Sequence, residues 1–203
     1  MGVVASGTRE RLLTAAQELI EQGGYAAASV IAIAERAGLA AGTLYRHFAS
    51  KEDLFVEVFR AVCSREERAM RLAAETSQAA DAAERLEIVL ATFAQRALRN
   101  PRLAWALIAE PVDPRVDAER LAYRARYAEL IAAGLRDGID AGELPAQNAD
   151  LTAAALVGGC GEALVGPLSP LAGDRGGETA GHDSDGEIVQ GLRTFVRRAV
   201  GAA

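Results

Sequence analysis

Between Thr8 and Val200 the apolar residues recur three and four positions apart, and Val, Ile, Thr and Tyr never alternate over a sustained run. A period near 3.6 lays such residues along one stripe of a helix, whereas a half-buried strand needs a period of two. The chain is therefore restricted to helix packed on helix, an all-α fold. Composition agrees. Half of the 203 residues are hydrophobic but only 5% are aromatic. Alanine, the best helix former and small enough for close helix approach, is very abundant.

Capping and breaking residues divide this pattern. Leu12, Leu13, Ala16, Leu19 and Ile20 share one face of a first helix over 8–22, which the glycines of "GGY" (Gly23, Gly24, Tyr25) are expected to end. Ser29 caps a short second helix with Val30, Ile33, Ala34 and Ala37 inward. Gly38 breaks it, and a third short helix is expected over 41–47. Ser50 and Asp53 form a capping box opening a longer helix over 51–74. Further helices are expected over 82–99, after Asn100 and Pro101, and from Asp113 and Pro114 toward Asp140. A strongly apolar helix covers 151–164, and the Gly, Pro and Asp-rich stretch 166–186 reads as a mobile linker. A second capping box at 184–187 opens a last helix bearing Ile188, Val189, Leu192, Phe195, Val196 and Val200.

The stretch "SVIAIAERAGLAAGTLYRHF" (29–48) has the ingredients of a helix-turn-helix. Ala34 is small where two helices cross, Gly38 suits a turn needing positive φ, and Leu44 anchors the second helix from inside. In this motif the second helix enters the major groove of DNA with its N-terminal residues near base edges. Gly42 permits close backbone approach, Thr43 can hydrogen-bond a base or meet a thymine methyl, and Tyr45 and His47 suit phosphate oxygens. Lys51 is the only lysine in the chain. It sits in the first turn of a helix, where a cation opposes the dipole, so an anionic partner explains it better than stability does.

With "GTLYRHF" followed by "SKEDLF", the stretch from Thr8 to Phe59 resembles the DNA-binding domain of TetR-type transcriptional regulators over about a quarter of the chain. The resemblance implies an all-helical homodimer of nine or so helices, a DNA-binding domain over 6–66, and an effector-binding and dimerisation domain over 67–203. It implies repression of a near-palindromic double-stranded DNA operator, relieved by a small molecule. Carried over, Ser29 resembles a phosphate contact, and Thr43 with the backbone at Ala41 and Gly42 resembles the base-facing positions. Tyr45, His47 and Lys51 resemble phosphate clamps, while Arg46 falls at a variable position facing a base or a phosphate. One departure is Ala40, where many members place Ser or Thr to cap the reading helix; the lost cap costs about 1 kcal/mol locally.

Other functions find less support. A net charge of −6 argues against indiscriminate binding to nucleic acid or anionic membrane. Cys63 and Cys160 lack a CxxC partner and read as buried, reduced thiols of a cytoplasmic protein. No signal peptide opens the chain, and no uninterrupted apolar run reaches bilayer-spanning length. No catalytic residues, metal ligands or cofactor motif emerge, so the chain is expected not to be an enzyme. The competing class is a helical small-molecule-binding or scaffolding protein whose N-terminal helices contact protein; weak salt dependence would mark it.

In the C-terminal part, Met70, Phe93, Trp105, Leu107, Ile108, Tyr123 and Tyr127 are candidates to line an effector pocket, set against an ordinary core role. Glu110 and Asp113 stand either to meet a polar or cationic ligand or to cap helices. The helices at 151–164 and 188–200 are the candidate homodimer surface, because the former is apolar on more faces than one bundle side uses.

Overall fold

The computed structural model describes residues 7–170 and 183–202. Among these lie α1 (Thr8–Ala27), α2 (Val30–Arg36), a 3-10 helix (Ala41–Arg46), α3 (Lys51–Thr76), α4 (Ala82–Arg99), α5 (Pro101–Ile108), α6 (Pro114–Asp140), α7 (Ala149–Leu168) and α8 (Asp183–Ala199), and no strand. The fold is all-α, as the period requires. α3 links the two ends of the molecule, packing on α1 near its start and on α4 and α6 along its length. Leu12, Ile20, Leu44 and Phe55 at the N-terminal end join Leu90, Ile131, Leu156 and Leu164 in one continuous core.

The caps set most of the boundaries. Ser50 Oγ accepts from the Asp53 amide at 3.1 Å and donates to Asp53 Oδ2 at 2.8 Å. Asn100 and Asp113 cap α5 and α6 ahead of a proline in the first turn. Asp113 thus has the capping role of its two alternatives, accepting from the Arg115 amide at 2.9 Å.

Several expectations are corrected. α1 does not end at Gln22. Gly24 breaks it with φ 72°, but helical geometry resumes and carries the element to Ala27. α7 begins at Ala149 on an Asn148 cap and runs to Leu168, so Gly166 and Pro167 belong to its last turn and not to a linker. α8 begins at Asp183, which places Ser184 inside the helix and not at its cap. The rest of the expected linker, 171–182 with His182, lies outside the described residues.

α7 also revises the bilayer argument. It is 20 residues long and apolar enough to cross a membrane by length and composition. Asp150 and Glu162 interrupt the apolar run, which is why no run of that length showed in the sequence. In the fold α7 packs along α6 and buries Ala153, Leu156, Cys160 and Leu164. A soluble bundle helix passes the same test, so one such helix is weak evidence of spanning. Its outer face keeps Leu151 68% exposed, and Phe195 of α8 stays 42% exposed beside Gly159.

Candidate nucleic-acid interface and effector cavity

The segment 29–48 folds around a few buried anchors. Ser29 Oγ accepts from the Ala32 amide at 3.1 Å and starts α2, whose Ile33 and Ala34 are buried. The chain reverses at Gly38, where φ is 64°. The Leu39 amide reaches the Ala34 carbonyl at 2.9 Å, and the Arg11 guanidinium of α1 holds the Ala37 carbonyl from outside. Leu44 (0% exposed) and Phe48 (4%) then pin the next turn to the core. Each such burial contributes roughly 1.5–3 kcal/mol.

The expected third helix over 41–47 is a 3-10 helix that stops at Arg46, with His47 as its C-cap. The physical reason lies at its start. Ala40 offers no side-chain cap, so the first turn tightens into an i to i+3 bond from the Thr43 amide to the Ala40 carbonyl at 2.9 Å. Six residues containing Gly42 are also too few to propagate an α-helix without help.

This arrangement leaves Ser29, Ala41, Gly42, Tyr45, Arg46 and His47 exposed and Thr43 half-buried. Tyr45 is 58% exposed. Among the described residues the side chains of Tyr45, Arg46 and His47 make no hydrogen bond or ion pair, and the Lys51 side chain has only its Nζ placed 5.2 Å from the Phe55 ring centroid. Elsewhere exposed cations near this face are paired, Arg36 with Glu18 and Arg115 with Asp53 and Asp113. On this face the unpaired polar side chains therefore gather on one short piece of chain.

A cavity of about 360 Å³ opens between α1, α3, α4, α5, α6 and α7. Met70, Phe93, Leu107, Ile108, Tyr123 and Tyr127 line it, as the sequence suggested. Trp105 does not. Leu103, Ala104, Leu107 and Ile108 put one face of α5 toward the cavity, and Trp105 lies on another. The tyrosines are fixed as walls. Tyr123 Oη donates to the Arg60 carbonyl at 3.1 Å, and Tyr127 Oη donates to the Cys63 carbonyl at 3.2 Å. Burial raises the Tyr127 phenol far above its ordinary value.

Two features of the lining escaped sequence reasoning. Both cysteines border the cavity, free and buried; desolvation pushes Cys63 up to about 12 and Cys160 to about 11, so both are neutral thiols. The lining also carries Arg65, Arg96, Arg99, Arg120 and Arg124 against Glu21 and Glu66. Arg96 grips Glu66 through two bonds of 2.5 and 3.0 Å, whereas Arg99 and Arg124 form no ion pair among the described residues. Arg96 and Arg99 share α4, Arg120 and Arg124 share α6, and Arg65 stands on α3, so only the packing of three helices brings the five together. No group of three or more His, Cys, Asp or Glu side chains suited to a metal occurs among the described residues.

A buried-anchor helix-turn-helix with a bare polar face, joined by one long helix to a helical bundle, defines a DNA-binding regulator. Residues 12–58 match the family model described as "Bacterial regulatory proteins, tetR family", and residues 79–164 match "Tetracyclin repressor-like, C-terminal domain". The HTH-type transcriptional regulator UidR of Escherichia coli (strain K12) is 28% identical over 198 residues, 97% of this chain and 94% of that protein. The fatty acid degradation regulator FadR from Bacillus halodurans shares the fold with a TM-score of 0.77 at 20% identity, covering 97% of each chain. FadR from Bacillus subtilis in complex with stearoyl-CoA shares it with a TM-score of 0.70 at 21% identity, over 95% of this chain and 98% of the other. This chain belongs to the TetR family of transcriptional regulators.

Proposed function

We propose that the chain acts as a homodimeric repressor that binds a near-palindromic operator and releases it when a small molecule enters the bundle cavity. The observation that carries the DNA side is the unpartnered polar face from Thr43 to Lys51. Thr43 with the Ala41 and Gly42 backbone approaches base edges. Ser29, Tyr45, His47 and Lys51 hold phosphates, and Arg46 takes a base or a phosphate. The DNA-binding unit is 6–66 and the effector and dimerisation unit 67–203, the boundary falling inside α3, which crosses from one to the other. The exposed apolar faces at 151–164 and 188–200 support pairing with a second copy, which sets the reading segments about 34 Å apart for successive major grooves.

Met70, Phe93, Leu107, Ile108, Tyr123 and Tyr127 form the apolar part of the effector site; the aromatic walls and the volume suit a ligand with an apolar body. The arginine excess favours an anionic group on that ligand, since guanidinium matches carboxylate and phosphate geometry. The stearoyl-CoA held by the Bacillus subtilis relative has both properties. The test selects bound sites from random DNA, then titrates salt. Affinity should fall steeply as counterions are released; a flat salt response would sink the operator reading in favour of protein contacts. Adding stearoyl-CoA, decanoate or decanol to the complex then tests the effector. Release by the anions with little by decanol is expected, and equal release by all three refutes the anionic group.

A further inference from the structure

Two backbone groups of α1 are held by side chains from α5 and the turn that follows it. The Glu110 carboxylate, in the turn after α5, accepts from the Tyr25 amide at 3.2 and 3.4 Å. Arg102, in the first turn of α5, donates from Nη2 to the Gly23 carbonyl at 3.1 Å. Between these bonds Gly24 takes φ 72°, and a Cβ there would stand 2.8 Å from both Glu110 oxygens. Glycine is therefore required twice, for its conformation and for the close approach of the carboxylate.

The far end of this clasp reaches the cavity. Arg120 Nη2 donates to the Glu110 carbonyl at 2.9 Å and its Nε to the Leu107 carbonyl at 2.8 Å, and both Arg120 and Leu107 line the cavity. The near end reaches the DNA side. Tyr25 is buried with its ring 5.0 Å from that of Phe55, and the chain continues from it directly to the Ser29 cap of α2. Arg102 Nε is buried with no hydrogen-bond partner, so a displacement of α5 has a polar group to satisfy.

We infer that Glu110 and Arg102 are positioning residues that couple the cavity to the reading segment, by fastening the broken end of α1 to α5. A ligand that shifts α5 moves Gly23 to Tyr25 as one piece and with them the start of α2. This route runs beside α3 and touches it where the Tyr25 ring meets Phe55. The inference rests on the effector reading given above, and linkage requires that whatever weakens operator binding through the clasp be carried by these contacts.

Cavity-filling substitutions replace the ligand in the test. Val157 and Gly161 line the cavity from α7, away from the clasp, and nothing stands within 4 Å of a Cβ on Gly161. Operator affinity is measured for full-length Val157→Phe and Gly161→Met, alone and combined with Glu110→Ala, Arg102→Met or Glu110→Gln, with helicity checked by circular dichroism. Filling should weaken the operator complex about tenfold in the otherwise native chain. It should act by less than about twofold once Glu110→Ala or Arg102→Met has opened the clasp. Glu110→Gln keeps an acceptor for the Tyr25 amide and should retain most of the coupling. If Glu110→Ala fails to fold, Arg102→Met decides alone. Equal, additive effects in every background overturn the clasp and leave the effector reading standing. Filling that leaves operator affinity unchanged in the native background overturns both.

Discussion

Thr43 and Lys51 stand on one surface for different reasons. Thr43 is half-buried in the reading turn, where its hydroxyl and methyl can meet a base edge, and Lys51 extends a single charge over the Phe55 ring. Their substitutions should therefore separate. Lys51→Ala should weaken binding at every DNA sequence and reduce the slope of log affinity against log salt by about 1. Thr43→Ala should cost about 1–3 kcal/mol on the preferred operator and little on others. Anisotropy titrations over a salt series and a set of base-substituted operators measure both; an unchanged slope for Lys51→Ala removes it from the phosphate contacts. The buried thiols give a second expectation. Their pKa values are raised in the folded chain, to about 12 and 11 from an ordinary 9.0. Their share of stability is therefore intact below pH 9.0 and lost as pH rises from there toward the folded values. Melting temperature should hold to that point and decline beyond it. At pH 8 a disulfide reagent should modify both cysteines rapidly only after denaturation; fast reaction of the native chain would contradict their burial.

At the level of the element, the reading turn is the informative case. Ala40 already has the extended backbone of a cap, with φ −72° and ψ 143°, but no side-chain oxygen. Ala40→Ser should supply the missing acceptor and stabilise the turn by about 1 kcal/mol. Slower amide exchange at Gly42 and Thr43 with a raised melting temperature would show it; unchanged exchange would mean that the 3-10 geometry leaves no amide for a cap to meet. The start of this segment was legible because its signals are local: Ser29, Gly38 and Ser50 each act on neighbours within a few residues. Its helix type was not, since choosing 3-10 over α depended on a cap that is absent. Elsewhere legibility failed wherever a distant partner decides the outcome. "GGY" read as a terminator because Gly24 does break the helix, but Arg102 and Glu110 hold the chain on either side of it. Trp105 stood among the candidates to line the pocket, and the face that α5 turns inward excluded it.

Taken whole, the fold hides a continuous core and leaves apolar side chains uncovered on α7 and α8, at Leu151 and Phe195. Helix counts and approximate boundaries came through from periodicity, because every helix buries a stripe against the same core. The cavity did not, because six helices contribute to it and tertiary packing alone decides which of their faces converge. Leu151→Glu combined with Phe195→Glu should convert a dimer to a monomer of unchanged helicity in sedimentation equilibrium. Operator affinity should fall with it, since one reading segment then grips one half-site. A dimer that survives both charges would move the pairing surface elsewhere.

A chain of 203 residues with one lysine is, to any amine-directed reagent, nearly a chain with one address. Apart from a terminal amine, a succinimidyl dye or an acetyl donor finds only Lys51, at the head of α3 beside the reading turn. Random labelling, which on most proteins scatters probes over the surface, here places a single reporter at the proposed DNA contact. The same fact makes the site fragile: one neutralised amine would erase the chain's whole stock of lysine charge where it is proposed to matter.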